Sequence, residues 1–295
     1  MDYPSLERRY RCHREENILE RLQKNSHQIL ELEGSTWEND VKSPLLPFRR
    51  NVFSQSGEDG VIERIIELLP EVPRTFVEFG AWDGLHLSNC ARLARDLGWM
   101  GVFIEGNPVK FQDLTANYAG FPRIVTVNRW VTLATGSTLD EIVQPYLDSV
   151  GILSIDIDGN DYHIWDSVNH LKPMVVVIEV NPSIPNDVRF VQRYSLDVNQ
   201  GASLLAINEL AIRKGYELVC CTSANAFFVD KRYFNRFNIK DNSIDKLYVP
   251  KCNGRIFHGF DGTVFVVGMD RIIWKGVKVT SDHFQIFPEH ERKLT

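Results

Sequence analysis

Three aspartates and an asparagine crowd the stretch LSIDIDGNDYHIW (153–165), where an apolar run ends. Asp156 and Asp158 lie two residues apart, so an extended backbone would place both side chains on one face. Crowded carboxylates repel one another and resist burial, which favours a cation among them. A second apolar run ends in Glu179 and Asn181, again two residues apart. Such hard oxygen ligands favour Mg²⁺, Mn²⁺ or Ca²⁺ over zinc.

This acidic group has three interpretations. In the first, the four residues just named hold a divalent ion, which binds two vicinal hydroxyls of an acceptor and lowers the pKa of one. In the second there is no metal: Asp156 binds an amino group of the cofactor or the acceptor, and Asp161 or His163 is the general base. In the third, the acids only form turns and helix caps, as Asp and Asn often do.

The elements that must position these residues alternate along the chain. Near-continuous apolar runs predict strands, with helices between them, at 75–81, 101–108, 123–131, 151–159 and 173–182. Runs of this kind are typical of a parallel sheet covered by helices on both faces. Two further strand-like runs, YELVCCTS and NAFFVDK, are separated by Ala224 alone, so this last pair must be antiparallel. The predicted fold is therefore α/β, a doubly wound and mostly parallel seven-stranded sheet with an antiparallel last strand. That is the Rossmann-like layout of class I methyltransferases.

A cofactor site is predicted at the turn in FVEFGAWDG, because doubly wound sheets bind ligands beyond the carboxyl ends of their strands. Gly80 and Gly84 allow the backbone to approach a ligand closely. Glu78 and Asp83 offer acceptors for an ammonium or hydroxyl group. Glu105 ends the next strand, where an acid can accept hydrogen bonds from ribose hydroxyls.

The cofactor that suits this turn is S-adenosylmethionine rather than NAD. An NAD site needs G-x-G-x-x-G around the pyrophosphate, whereas GAWDG has two glycines. Asp83 would also repel a phosphate. S-adenosylmethionine is a cation without phosphate, so acidic residues suit it.

Two other segments have a functional and a structural interpretation. At the end of the third strand, Asn128 would hydrogen-bond the adenine edge and Trp130 would cover its face, or the tryptophan belongs to the core. In SQSGED, Gln55 and Glu58 would reach the methionine end of the cofactor, or the segment only caps a helix.

Composition limits the remaining classes of function. The chain has 295 residues and a net charge of −6, which argues against nucleic acid as a partner. No apolar run approaches the ~20 residues of a membrane span, and the N-terminus is too polar for a secretory signal. The five cysteines are an odd number without C-x-x-C, which predicts reduced thiols and no zinc site. We therefore expect a soluble, cytoplasmic protein.

Three regions are expected along the chain. Residues 1–50 form an N-terminal helical segment and linker, 51–235 the methyltransferase domain, and 236–295 a C-terminal extension. The amphipathic pattern in 1–33 predicts a helix that packs on the body or joins copies of the chain into a homo-oligomer.

The motifs, taken in order, resemble the FkbM-type S-adenosylmethionine-dependent methyltransferases over about residues 51–235. The resemblance implies O-methyl transfer to a sugar or polyketide-derived hydroxyl. Related sugar O-methyltransferases hold Mg²⁺ with acids that correspond to Asp156, Asp158 and Glu179 here. Many FkbM relatives carry an acid–Gly–Ala–Glu ending where this chain has DIDGND, so metal-free behaviour does not transfer automatically.

The leading hypothesis is an O-methyltransferase that aligns an acceptor hydroxyl with the methyl sulfonium and assists its deprotonation. The acceptor would be a sugar, glycan or small secondary metabolite. A second hypothesis is a non-catalytic binding or scaffold protein that kept the fold. A third, an NAD-dependent oxidoreductase, is disfavoured by the glycine loop.

Overall fold

A seven-stranded sheet organises the computed structural model, which describes residues 43–251 and 254–292. The predicted N-terminal helix lies outside these residues. The strands are β1 (Thr75–Phe79), β2 (Met100–Glu105), β3 (Ile124–Asn128), β4 (Ile152–Ile155), β5 (Val175–Glu179), β6 (Tyr216–Cys221) and β7 (Asn225–Asp230). Their order is β3-β2-β1-β4-β5-β7-β6. The first five strands run parallel, and β7 is antiparallel to both neighbours. The predicted class I methyltransferase fold is confirmed.

Helices cover both faces of this sheet, so its strands are buried on both sides. On β1, Phe76 belongs to one apolar cluster while Val77 and Phe79 belong to the other, because successive side chains alternate between faces. The helices are α1 (Glu58–Leu68), α2 (Ala91–Arg95), α3 (Pro108–Tyr118), α4 (Leu139–Val143), α5 (Asp161–Ser167), α6 (Leu204–Lys214) and α7 (Ile244–Leu247).

Local chemistry explains the bounds of two helices. In LDEIVQPYLDSV (139–150) the sequence predicts a helix that Pro145 interrupts or bends, and α4 ends at Val143, since proline has no backbone N–H and disfavours helical geometry in the residue before it. In LSNCARLARDLG (87–98) the sequence predicts a helix closed by Gly98, but α2 is shorter than that. The amides of Asn89 and Cys90 instead donate to the carboxylate of Glu78 at the end of β1.

The run TVFVVGMDRIIWKGVKV (263–279) predicts one hairpin in the C-terminal extension. The described residues of this region instead form two separate two-stranded sheets. β8 (Arg255–His258) pairs with β9 (Val264–Val267), and β10 (Arg271–Ile272) pairs with β11 (Val277–Lys278). An ion pair between Arg255 and Asp187 (2.9 Å) ties this region to the segment after β5. Across residues 43–251 and 254–292, no helix has the length and apolar character that a membrane span requires.

The turns after β1 and β4 pack directly against each other. Gly80 follows β1 with φ of +76°, and a Cβ atom added there would lie 1.8 Å from the carbonyl oxygen of Asp156. No side chain fits between the two backbones, so Gly80 sets how closely the two turns approach.

We expect Gly80→Ala to lower the free energy of unfolding by more than about 4 kcal/mol, because the methyl group collides with fixed backbone. Gly136→Ala is the matched control: its φ is +83° but nothing lies within 4 Å of the added Cβ. The control should lose about 1–2 kcal/mol through backbone strain alone. Urea unfolding measures both; similar losses in the two variants would show that the close approach is unimportant.

Candidate active site

One carboxylate oxygen from each of Asp156, Asp158 and Glu179 lies within 4.8 Å of the other two. We call these residues the acidic triad. The sequence predicts that Asp156 and Asp158 meet because an extended backbone places both side chains on one face. In the structure, however, β4 ends at Ile155 and Asp158 has a left-handed φ of +57°. The carboxylates meet instead because the turn curls back toward β5, the neighbouring parallel strand.

Asp161 holds this turn in place. Its Oδ1 accepts a hydrogen bond from the backbone N–H of Ile157 (2.9 Å), and its Oδ2 accepts one from Gly159 (2.8 Å). Its side chain is buried, and burial raises its pKa to about 6. Asp161 therefore shapes the turn, and its role as a general base stays a prediction.

The imidazole of His163 also has a structural partner. Its Nε2 lies 2.7 Å from the carbonyl oxygen of Gln192, and its ring makes edge-on contacts with Tyr162 and Tyr194. The histidine thus links α5 to the chain that follows β5, and its role as a candidate base stays a prediction.

Negative charge accumulates at the acidic triad. Burial, followed by the neighbouring carboxylates, raises the pKa values of Asp156 and Glu179 well above their usual range. Burial likewise raises the pKa of Asp158, although its side chain still contacts solvent. Carboxyl groups that are surrounded by protein but still accessible to water lie in a surface recess. Three carboxylates in a recess fit a hard divalent cation, whose charge would offset their repulsion.

Asn181, the fourth predicted metal ligand, already has partners for its amide. Its Oδ1 accepts hydrogen bonds from the backbone N–H (2.9 Å) and the hydroxyl (2.6 Å) of Ser183. Its Nδ2 donates to the carbonyl of Gln200 (2.9 Å). These bonds make Asn181 a turn former after β5.

Beside the triad, a solvent-open cleft runs along the carboxyl ends of β1 to β4. Ile157 and Gly159, on either side of Asp158, both line the cleft, so the cleft and the triad share one turn. The cleft is lined further by Phe79, Gly80, Ile104, Glu105, Gly106, Arg129, Trp130, Val131, Asn160, Ser195, Leu196, Val198 and Asn199.

Glu105 occupies the position in the cleft that the sequence predicts. Its carboxylate accepts hydrogen bonds from the backbone N–H groups of Trp82 (2.7 Å) and Asn107 (2.6 Å). Burial raises its pKa. The backbone N–H of Gly106 adds a third hydrogen bond. A carboxylate has about four acceptor positions, so one remains for a ligand hydroxyl.

Trp130 completes that wall of the cleft, whereas Asn128 does not line it. Asn128 Nδ2 donates to the carbonyl of Glu105 (2.8 Å), which leaves less of its amide for a base edge. Trp130 is 64% exposed, and its indole covers Gly106, where an added Cβ would meet it at 2.4 Å. The exposed ring is therefore a cleft wall and not a core residue.

Three other predicted cofactor ligands do not line the cleft. Glu78 is buried and accepts from the Ser88 hydroxyl (2.6 Å) as well as from two amides before α2. Asp83 Oδ1 accepts from the backbone N–H groups of Leu85 and His86, which makes a local turn. Gly84 makes room for α3, since an added Cβ there would lie 2.5 Å from Leu114.

Glu58 is fully buried at the start of α1. It accepts from the Thr222 hydroxyl (2.6 Å) and from Asn225 Nδ2 (3.3 Å), and so ties α1 to the β6–β7 turn. Gln55 is half-buried nearby, and its carbonyl accepts from Asn51. These contacts are structural, but the helix cap expected in SQSGED is not formed: the residue before α1 is Gly57, and no side chain caps the helix there.

Sequence reasoning missed the chain between β5 and α6, four residues of which line the cleft. Those residues are Ser195, Leu196, Val198 and Asn199. They belong to no periodic pattern, and only the folded chain brings them to the end of β4.

Comparison with known proteins adds fold-level neighbours. No family model matches the chain, and no curated protein matches it. The N-terminal domain of EvdMO1 with SAH bound is 11% identical, with a TM-score of 0.42 over 72% of this chain and 95% of that one. The CMeT domain of the citrinin polyketide synthase is 12% identical, with a TM-score of 0.43 over 71% of this chain and 66% of that chain. The CcbJ methyltransferase from Streptomyces caelestis is 13% identical, with a TM-score of 0.35 over 56% of this chain and 92% of that chain.

Likeness at this level carries no argument about activity. The fold assignment rests on the observed strand order, and the FkbM resemblance stays a prediction.

The buried Glu78 predicts a pH dependence of stability. Burial raises its pKa from 4.5 to about 7, so the folded chain keeps a proton that the unfolded chain releases. Its contribution to stability is present below the unfolded pKa and is lost as the pH rises through 7, a change of about 3 kcal/mol. We expect the fall in unfolding free energy between about pH 5 and pH 8 to be smaller by that amount in Glu78→Gln. Urea titrations at each pH test this, with the exposed Glu289→Gln as control; equal slopes in all three proteins would contradict it.

Proposed function

We propose that this chain is an S-adenosylmethionine-dependent O-methyltransferase, assisted by Mg²⁺ or Mn²⁺, that acts on a hydroxyl of a sugar, glycan or small secondary metabolite. The observation that carries the proposal is that one turn serves two sites. The turn after β4 contributes Asp156 and Asp158 to the acidic triad, and Ile157, Gly159 and Asn160 of the same turn line the cleft.

The cleft suits the adenosine part of the cofactor. Glu105 supplies carboxylate oxygens at the end of β2, where ribose hydroxyls bind in folds of this topology. Trp130 offers an exposed aromatic face for a base. The acidic triad beside the cleft favours the sulfonium cation over a ligand with a phosphate at that end.

The acidic triad suits a divalent ion. Asp156, Asp158 and Glu179 would hold it through one oxygen each. When bound, such an ion lowers the pKa of a coordinated hydroxyl and so favours the alkoxide nucleophile. The raised pKa values of these carboxyls imply that they release protons on binding, so metal affinity should increase with pH.

The chain itself aligns the reactants. Asp161 and the bond from the Asp158 backbone N–H to Glu179 fix the turn, so the acids are oriented before the ligands arrive. The acceptor oxygen then forms a bond to the methyl carbon as the carbon–sulfur bond breaks, leaving S-adenosylhomocysteine. Asp158, the exposed member of the triad, is placed to pass the hydroxyl proton to solvent. Without a metal, Asp156 would accept this proton.

S-adenosylhomocysteine should bind the purified wild-type chain with a micromolar dissociation constant in titration calorimetry. We expect Glu105→Ala to weaken binding at least about tenfold, since a buried charged acceptor of ribose hydroxyls is removed. The exposed Glu67→Ala on α1 is the matched control and should bind like wild type. A wild-type chain that binds no S-adenosylhomocysteine would exclude the proposed function.

Metal binding should depend on the acidic triad. We expect Asp156→Asn and Glu179→Gln each to weaken Mn²⁺ binding at least about 100-fold, since each loses a charged ligand. Electron paramagnetic resonance of free Mn²⁺ gives the affinity. The control is Asp148→Asn, an exposed acid before the amino end of β4.

Equal Mn²⁺ affinity in all four proteins would remove the metal from the proposal. In that case, activity that survives exhaustive EDTA treatment would support the metal-free mechanism through Asp156.

A further inference from the structure

An eight-residue loop, 193–200, closes one side of the cleft. Its base is a narrow neck: Val191 and Ala202 form an antiparallel bridge, and the N–H of Gln192 donates to the carbonyl of Gly201 (3.1 Å). The residues of the loop that line the cleft are Ser195, Leu196, Val198 and Asn199. The loop contains no helix or strand whose backbone hydrogen bonds would fix its position. Its position therefore depends on side-chain hydrogen bonds.

The side chain of Gln192 supplies those bonds. It is 1% exposed. Its Oε1 accepts from the N–H groups of Gln200 (2.7 Å) and Gly201 (2.9 Å). Its Nε2 donates to the carbonyl of Val198 (2.8 Å) and to Asn160 Oδ1 (3.1 Å). Both donors and both acceptor positions of the amide are used.

Asn160 extends these bonds to the turn that carries Asp158. Its Nδ2 donates to the carbonyl of Ser195 (2.9 Å), and its Oδ1 accepts from the N–H of the same residue (3.2 Å). His163 adds the bond from its Nε2 to the Gln192 carbonyl oxygen. The loop and the turn of the acidic triad are therefore held as one unit.

The loop also reaches the far side of the cleft. The hydroxyl of Tyr194 accepts from the backbone N–H of Leu133 (3.2 Å), which lies beyond β3. Leu196, in the same loop, is apolar and lines the cleft, yet it is 63% exposed to solvent. A ligand that covers it would remove apolar surface from water and gain binding free energy.

We propose that Leu196 contacts the nucleoside part of the bound cofactor and that Gln192 is the positioning residue that holds this contact in register with the acid-bearing turn. Gln192 acts through Asn160 and the loop, since its own amide has no free donor. The inference rests on the proposed cofactor, but it concerns residues outside the predicted site.

Titration calorimetry with S-adenosylhomocysteine tests both parts, with each variant held well below its melting temperature. Leu196→Ser should bind about tenfold more weakly with an unchanged melting temperature, because the side chain is exposed. Gln192→Ala should bind at least about tenfold more weakly. Gln192→Glu keeps the acceptors for Gln200 and Gly201 but loses both donors, so its affinity should lie between those of Gln192→Ala and wild type.

Ser43→Ala is the matched control for lost stability alone. Ser43 is buried, and its hydroxyl donates to the carbonyl of Val219 on β6 (2.8 Å), a strand whose residues do not line the cleft. This variant should melt at a lower temperature and bind as tightly as wild type.

Several results would overturn the inference. If folded Gln192→Ala and Gln192→Glu bind like wild type, Gln192 has only a structural role. If Leu196→Ser binds like wild type, the loop does not contact the cofactor. Should Gln192→Ala fail to fold, the other two variants still decide. Absence of binding by wild type would instead reject the proposed function itself, which separates the two failures.

Discussion

The two hydrogen bonds from the backbone of Ile157 and Gly159 to the carboxylate of Asp161 are the interaction on which the site depends. They bend the chain after β4 so that Asp158 adopts a left-handed backbone conformation. That bend costs conformational strain, which the surrounding bonds must offset. It brings the carboxylate of Asp158 within reach of Asp156 and Glu179. The same bend points the next residues into the cleft.

The site is therefore a product of strand ends and turns at one edge of a parallel sheet. The turn after β1 contributes Gly80, whose lack of a side chain lets the backbone touch the carbonyl of Asp156. The end of β2 contributes Glu105, the turn after β3 contributes Trp130, and the acids come from the turn after β4 and the end of β5. Parallel strands place all their carboxyl ends on one edge, so ligands from distant parts of the chain can meet there.

Much of the negative charge in this region has a structural use. Glu78 and Glu58 are both buried. Glu78 accepts hydrogen bonds from Ser88 and Asn89, just before α2, and Glu58, at the start of α1, accepts one from Thr222. The sequence alone suggests that these acids bind a cofactor, because the residues around an acid beside a glycine turn are the same whether the acid binds a ligand or holds the fold. Within residues 43–251 and 254–292, the acidic triad is the group of acids whose oxygens lie close enough together to hold a metal ion.

The order of elements followed from sequence because it depends on local patterns. Apolar runs and turn residues predicted seven strands, and the single residue between the last two runs required an antiparallel pair, which β6 and β7 form. Boundaries were less accurate where a distant group competed, as when Glu78 took the amides expected to begin α2. The pairing of β9 with β8 was also missed, because an apolar strand matches more than one partner.

The sequence by itself determined the fold and the presence of acids at the ends of β4 and β5. It also placed Glu105 at the end of β2, since each of these follows from residue order and period. Tertiary structure alone decided which acids meet and which residues close the cleft. The reason is that hydrogen bonds such as those of Gln192 to Asn160 join residues 32 positions apart. No local pattern records a contact of that separation.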